Sequence, residues 1–228
     1  MPDVAIPPIA ERAEPAELTE AAARLEDADA QEIVRWAAGR FEGRWVLASS
    51  FEDSVLIDIV SQVAERLPVL FIDTGFHFPE TLQYVQQVRD RYRLSLHVAR
   101  ADLDAATHPC GSSQCCAQRK VVPIRRALEP HAAWLTGLRR ADGPTRAHTS
   151  VVAWDEMFGI AKVAPLARWT DADVHAHVVA RDLPVHPLLD RGYRSIGCAP
   201  ATRPVADGED SRAGRWPGQA KTECGLHA

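Results

Sequence analysis

The thiols are the first residues in this sequence with chemistry to offer. Cys115 and Cys116 are adjacent in "SSQCCAQRK", Cys198 stands in "GYRSIGCAPATRP", Cys110 in "HPCGSSQ", and Cys224 close to the end in "KTECGLHA". Adjacent cysteines rarely bridge each other, because the small ring strains the peptide between them. At a helix start their side chains diverge by about 100°, so both can reach one compact metal–sulfur cluster. Cys198, after a glycine, can add a third thiolate, and four is the usual complement for an iron–sulfur cluster or a structural zinc. Buried, unreactive thiols are the other reading of the same residues, and spacing does not choose between them. A C-x-x-C pair is half present, because Cys198 is followed three residues later by Ala201. Cys224 differs in kind. It lies in a polar tail where packing does not explain it. Reactivity there needs cationic company, which Lys221, His227 and the tail arginines can give, while Glu223 opposes it.

A second group of residues suits anions. Arg139, Arg140 and Arg146 share the loop "TGLRRADGPTRA", and Arg212 and Arg215 follow in the tail; guanidinium forks match oxyanions. Two further loops sit where a strand hands over to a helix, the place where parallel sheets bind ligands. In "SSFEDS" the hydroxyls of Ser49 and Ser50 and the backbone N–H groups can face an anion. In "IDTGFHFPET" the carboxylate of Asp73 can hold a ribose or an amine. Ordinary helix caps are the commoner explanation of both loops. The first loop lacks the glycines of the S-G-G-x-D-S sequence common in enzymes that split ATP on such loops, and Glu52 adds negative charge. A triphosphate would be crowded and repelled, so a less charged ligand fits better.

These loops need elements to hold them. Helical spacing from Leu18 to Phe41 predicts one or two opening helices. Strands are expected at 45–50, 68–73, 94–99 and 132–138, with helices at 53–67, 79–92 and 116–128 between them, then a hairpin over 151–166 and a helix over 170–182 capped by Thr170. Strands alternating with helices imply right-handed crossovers and a mostly parallel sheet with helices on both faces, an α/β fold. After about residue 200 the periodicity ends in a Gly/Pro/Arg-rich tail. The division expected is an N-terminal arm and helices (1–44), an α/β nucleotide-binding domain (45–199) and a flexible tail carrying the nucleophile (200–228).

The chain has 228 residues, enough to bury a core without disulfide staples. Five cysteines, two of them neighbours, make a poor disulfide framework and suit a reducing cytoplasm. The net charge of −5 argues against a nucleic-acid surface. The N-terminus has no apolar stretch of a signal peptide, and no run is long enough to span a bilayer.

In order, "IDTGFHFPET", "CCAQRKVVPIRRAL", "TGLRRADGPTRA", "GYRSIGCAP" and "KTECGLH" resemble the assimilatory adenylyl-sulfate (APS) reductases of the PAPS/APS reductase family, in their actinobacterial form, from about Trp45 to His227. The resemblance implies an adenine nucleotide α-hydrolase-like (PP-loop type) fold with a long catalytic tail. It implies thioredoxin-dependent reduction of APS to sulfite and AMP, in sulfate assimilation and cysteine biosynthesis, through an S-sulfocysteine on Cys224, with His227 in the same tail. By position in the motifs, Lys120, Arg212 and Arg215 belong to the phosphosulfate, and Ser49, Ser50, Asp73, Gly75 and Arg139 to the nucleotide. Cys115, Cys116 and Cys198 match three ligands of a 4Fe-4S cluster, and Ala201 stands where the fourth should be. Cys110 is the candidate substitute. The implied partners are APS and thioredoxin, or a glutaredoxin as the donor, with no nucleic acid and no membrane; homo-oligomerisation is left open. The alternatives are a cluster-free PAPS reductase and a non-catalytic nucleotide- or iron–sulfur-binding protein.

Overall fold

A computed structural model of the chain describes residues 13–64, 68–103, 109–111, 114–219, 221, 223, 225 and 226. Two helices open it, α1 (Pro15–Leu25) and α2 (Ala30–Phe41). There follow β1 (Trp45–Ala48), α3 (Val55–Ser61), β2 (Pro68–Asp73), α4 (Pro79–Tyr92), β3 (Ser95–Arg100), α5 (Val122–Leu128), β4 (Ala133–Thr136), the hairpin β5 (Val152–Asp155) and β6 (Ile160–Val163), and α6 (Asp171–Ala180). The six strands form one sheet in the order β3-β2-β1-β4-β6-β5, and only the β5–β6 pairing is antiparallel. The chain leaves β1 in one direction for β2 and β3 and returns on its other side as β4. That reversal opens a crevice at the carboxyl ends of β1 and β4, the usual ligand position in such sheets.

Alternation along the strands divides the core between the two faces. Leu47, Val69, Phe71, Ala133 and Leu135 point into the larger cluster, which also contains Leu18, Val34, Phe41, Val60, Tyr84 and Val88 from α1 to α4. Val46, Leu70 and Trp134 point the other way and pack with Ile124 and Leu128 of α5. Burying each such side chain contributes on the order of 2 kcal/mol, so the sheet is held from both sides. Among the described residues no helix is long and apolar enough to cross a membrane.

The elements depart from the sequence expectations mainly at their ends. The helix expected over 53–67 is α3, which stops at Ser61. The helix expected over 116–128 is two pieces: residues Ala117–Val121 are wound as a π-turn, with the Val122 N–H donating to the Ala117 carbonyl, and α5 follows. Pro123 explains this, since its ring has no N–H to give Arg119's carbonyl and crowds that oxygen in regular α-geometry. Thr170 caps α6 as expected, in a reciprocal box with Asp173. The start of the tail, though aperiodic, is folded. Thr202 bridges Arg215, the Trp216 N–H donates to the Ala201 carbonyl at 2.9 Å, and the Trp216 indole is buried.

Candidate active site

The loop after β1 forms without the glycines such loops often use. Phe51 itself takes the left-handed conformation, with φ 55°, and its ring is wholly buried edge-on to Phe71. That backbone costs roughly 1–2 kcal/mol, which burying the ring offsets. The Phe51 N–H donates to Ser49 Oγ at 3.0 Å and the Val55 N–H to Asp53 Oδ1 at 2.9 Å. These two N–H groups, which the sequence reading turned toward an anion, serve the loop's own side chains. Ser50 lies exposed beside them.

Glu52 ties this loop to the segment around Cys198, accepting from the Ile196 N–H at 3.2 Å. Crowding by surrounding atoms pushes its carboxyl up to about 7; Arg215 and the Ile196 N–H pull it down, while Asp53 and Asp142 push it up. The negative charge read from the sequence is therefore half quenched near neutrality. Arg215 donates to Ser195 Oγ at 3.3 Å and to the Ile196 carbonyl at 3.4 Å, and lies over Trp216. Gly197 makes this possible, because a β-carbon there would collide with the Arg215 guanidinium.

The arginines of the loop after β4 divide. Arg139 pairs with Asp142 at 2.9 Å and Asp171 at 2.8 Å. Arg140 turns away from the crevice to Glu26 (2.6 Å), so it holds α1 to the body and does not join an anion cluster. Arg146 pairs with Asp142 at 3.0 Å and with Glu223 of the tail at 2.9 Å. Arg212 meets the same Glu223 carboxylate at 3.1 Å, and Thr145 Oγ1 donates to it at 3.1 Å. Burial and the neighbouring cations Arg146 and Arg215 hold the Arg212 guanidinium below its usual range, although Glu223 and Glu52 favour its charge. Arg146, Arg212, Arg215 and Glu52 thus share one charged basin.

Asp73 ends β2 but faces inward to its own loop. It accepts from the Gly75 N–H at 2.8 Å and from the Arg100 guanidinium, so both its oxygens are engaged. Gly75 is required at φ +75° to close this turn. The turn delivers Thr74, whose Oγ1 lies 3.4 Å from Cys198 Sγ. Arg119, buried on the π-turn, donates to the Thr74 carbonyl at 3.3 Å and stacks on Phe76.

Cys115 and Cys198 are buried, and Cys110 and Cys116 are half-buried. The Cys110 thiol is pushed up, first by the neighbouring Cys198, then by burial, with Cys115 adding to it. Cys198 is held down, first by Cys110, then by Lys120, Thr74 and His77. Cys116 Sγ accepts from Lys221 Nζ at 3.0 Å. Ala201 is buried with only a methyl group to offer, its N–H on the Cys198 carbonyl. Among the described residues no three histidine, cysteine or carboxylate side chains close on a single-ion site. Cys224 and His227 lie outside the described residues.

A phosphoadenosine phosphosulfate reductase domain model matches residues 44–204. The chain belongs to the phosphoadenosine phosphosulfate reductase family. The adenosine 5'-phosphosulfate reductases of Mycobacteroides abscessus and Streptomyces coelicolor are 45% and 46% identical to it, over 91% of each chain and over 92% and 93% respectively. A phosphoadenosine 5'-phosphosulfate reductase of Gloeobacter violaceus is 45% identical over 91% of this chain and 92% of that one. A phosphoadenylyl-sulfate reductase structure from Candida auris superposes with a TM-score of 0.72 at 28% identity, covering 84% of this chain and 98% of that one. Candida glabrata FMN adenylyltransferase shares the fold alone, with a TM-score of 0.61 at 18% identity over 84% and 66%. The family resemblance and the PP-loop-like α/β fold read from the motifs are thus confirmed.

Within this reductase-family chain, the matched domain stops at residue 204, so Arg212, Arg215 and Glu223 lie beyond it. Sequence reading missed the partnership of Arg146 with Glu223, the Lys221–Cys116 contact, and Arg119 and Thr74 beneath Cys198. The arginine loop was a visible signal for Arg146. Nothing local signalled the others.

Proposed function

We propose that the chain catalyses thioredoxin-dependent reduction of APS to sulfite and AMP, with Cys224 as nucleophile. The observation that carries this is the placement of Glu223, the residue before Cys224, on Arg146 and Arg212 beside the crevice. The kinship to reductases named for adenosine 5'-phosphosulfate supports the substrate. In the reaction the Cys224 thiolate attacks the sulfur of APS, the bond from sulfur to the phosphate oxygen breaks, and AMP leaves. A thioredoxin thiolate then attacks Cys224 Sγ and expels sulfite. The second thioredoxin thiol resolves the mixed disulfide, so two electrons pass from the dithiol to sulfur. Lys120, Arg212 and Arg215 hold the phosphosulfate oxygens, as charge-assisted donors do; Ser49, Ser50, Gly75 and Arg139 border the nucleotide, and Asp73 shapes the turn around Gly75. His227 acts within the tail.

The donor set fits an iron–sulfur cluster better than a single ion, since a cluster spreads its thiolates apart. Cys115, Cys116 and Cys198 would hold it, and Cys110, already in contact with Cys115 and Cys198, would take the place Ala201 leaves empty. When bound, such a cluster supplies an electrostatic influence on the substrate site, because the thiols carry the two electrons. The second reading, a PAPS reductase, is favoured by Ala201 and by the Gloeobacter relative.

The test compares the wild-type chain with Cys224→Ser, assaying sulfite from APS and from PAPS with reduced thioredoxin. The expected result is turnover of APS over PAPS, abolished in Cys224→Ser with AMP binding kept. Wild-type turnover in the variant would remove Cys224 from the chemistry. Preference for PAPS would install the second reading.

A further inference from the structure

The Glu223 carboxylate sits where an anionic ligand would. Its exposure is 12%, and those of its partners Arg146 and Arg212 are 14% and 17%. Its oxygens accept from Arg146 Nε at 2.9 Å, Arg146 Nη2 at 3.1 Å, Arg212 Nη2 at 3.1 Å and Thr145 Oγ1 at 3.1 Å. This is the fork geometry that guanidinium groups use for phosphate and sulfate oxygens. One carboxylate is an incomplete match for the charge. Asp142 helps to neutralise Arg146 but divides itself between Arg146 and Arg139. Arg212 also faces the Arg215 charge, with Glu52 the other acid near it, and that acid is half protonated near neutrality. A ligand carrying two negative charges satisfies this basin better than Glu223 does.

We propose that Glu223 is an internal stand-in for the substrate's anionic group: it occupies Arg146 and Arg212 in the empty enzyme and must leave before the phosphosulfate takes Arg212. This rests on the assignment of Arg212 to the phosphosulfate under the proposed function. Because Glu223 is covalently next to Cys224, substrate entry and release of the nucleophile's segment become one event. The tail cannot stay latched on an occupied site, and an empty site draws it back. Latching lowers the apparent affinity for substrate by the fraction of molecules left unlatched.

The experiment uses the full chain, handled without oxygen. APS is titrated calorimetrically into Cys224→Ser, which cannot turn over, and into Cys224→Ser with Glu223→Gln. The latch predicts that the glutamine variant binds APS about ten-fold more tightly, with adenosine, which has no anionic group, unchanged. Equal or weaker APS binding in the double variant overturns it. A second reading comes from amide exchange over residues 221–226. Exchange should be fast in the double variant without ligand, and slow in Cys224→Ser until APS, or inorganic sulfate, is added. If APS binds neither protein, the reductase reading fails, and exchange alone decides the latch: equal rates in the two proteins overturn it.

Discussion

Glu52 is an acid whose surroundings set its charge at neutral pH. Its carboxyl, ordinarily near 4.5, is pushed up to about 7 by burial, against the pull of Arg215 and the Ile196 N–H. The unfolded chain gives up this proton first, so the cost of the charge to folding appears as pH rises from about 4.5 to 7. A bound phosphosulfate would push the carboxyl higher still. APS binding should therefore take up a proton and weaken as pH rises through 7, while Glu52→Gln should keep a flatter profile. Calorimetric affinities at pH 6 and 8 check this, and parallel profiles in the two proteins would remove Glu52 from the site. Cys110 is another residue whose place follows from its neighbours and not from its own segment.

Short elements bring the functional groups to the crevice. The π-turn Ala117–Val121 carries Arg119 and Lys120, and Pro123 fixes its unusual winding. The turn Ala199–Ala201 carries Cys198 inward and leaves Ala201 as a methyl group. With the Cys110 thiol beside Cys198 and Cys115, these segments can supply four thiols. Protein purified without oxygen should contain iron and acid-labile sulfide. Cys110→Ser should lose most of both, and Ala201→Cys in that background should restore them. Iron retained in full by Cys110→Ser would show that three thiols suffice. The start of the aperiodic tail obeys the same logic: Trp216 and a bridge between Thr202 and Arg215 hold residues 202–216 down, and neither leaves a period in the sequence.

The fold as a unit carries one acid-sensitive joint. His186 is fully buried, 3.0 Å from Thr81 Oγ1, with its Nδ1 accepting from the Leu188 N–H at 3.2 Å. Burial pushes it down from 6.5 to about 4. Its neutral form is favoured in the fold, so its contribution is fully present above 6.5 and is lost as pH falls from there toward 4, by up to about 3 kcal/mol. Urea unfolding at pH 7 and pH 5 should show a smaller loss in His186→Asn, whose amide oxygen can still accept from Leu188. An equal loss in both proteins would place the acid sensitivity elsewhere. The stabilisation from carboxylates held low, Glu26 and Glu223 among them, begins to be lost only as pH falls through about 4.5, near the lower end of this window.

Much of this was written locally. The short unbroken apolar run of "PVLFID", buried on both faces, and the helical spacing in "PETLQYVQQVRDRY" marked β2 and α4 to the residue, because burial and backbone pairing are set within a few positions. Thr170 and Asp173 announced their helix for the same reason. The motif cysteines and arginines were legible as residue types. Their allegiances were not. Arg139, Arg140 and Arg146 read as one cluster, yet Arg140 went to Glu26 and Arg146 to a carboxylate 77 positions away. Asp73 read as a ligand group and was claimed by Arg100, its neighbour in the parallel pairing of β2 with β3. By itself the sequence determined the elements, the family and the chemical inventory. Only the tertiary structure decided which charge meets which, because an ion pair depends on separation in space, and the sheet's crossovers bring distant segments to the same crevice.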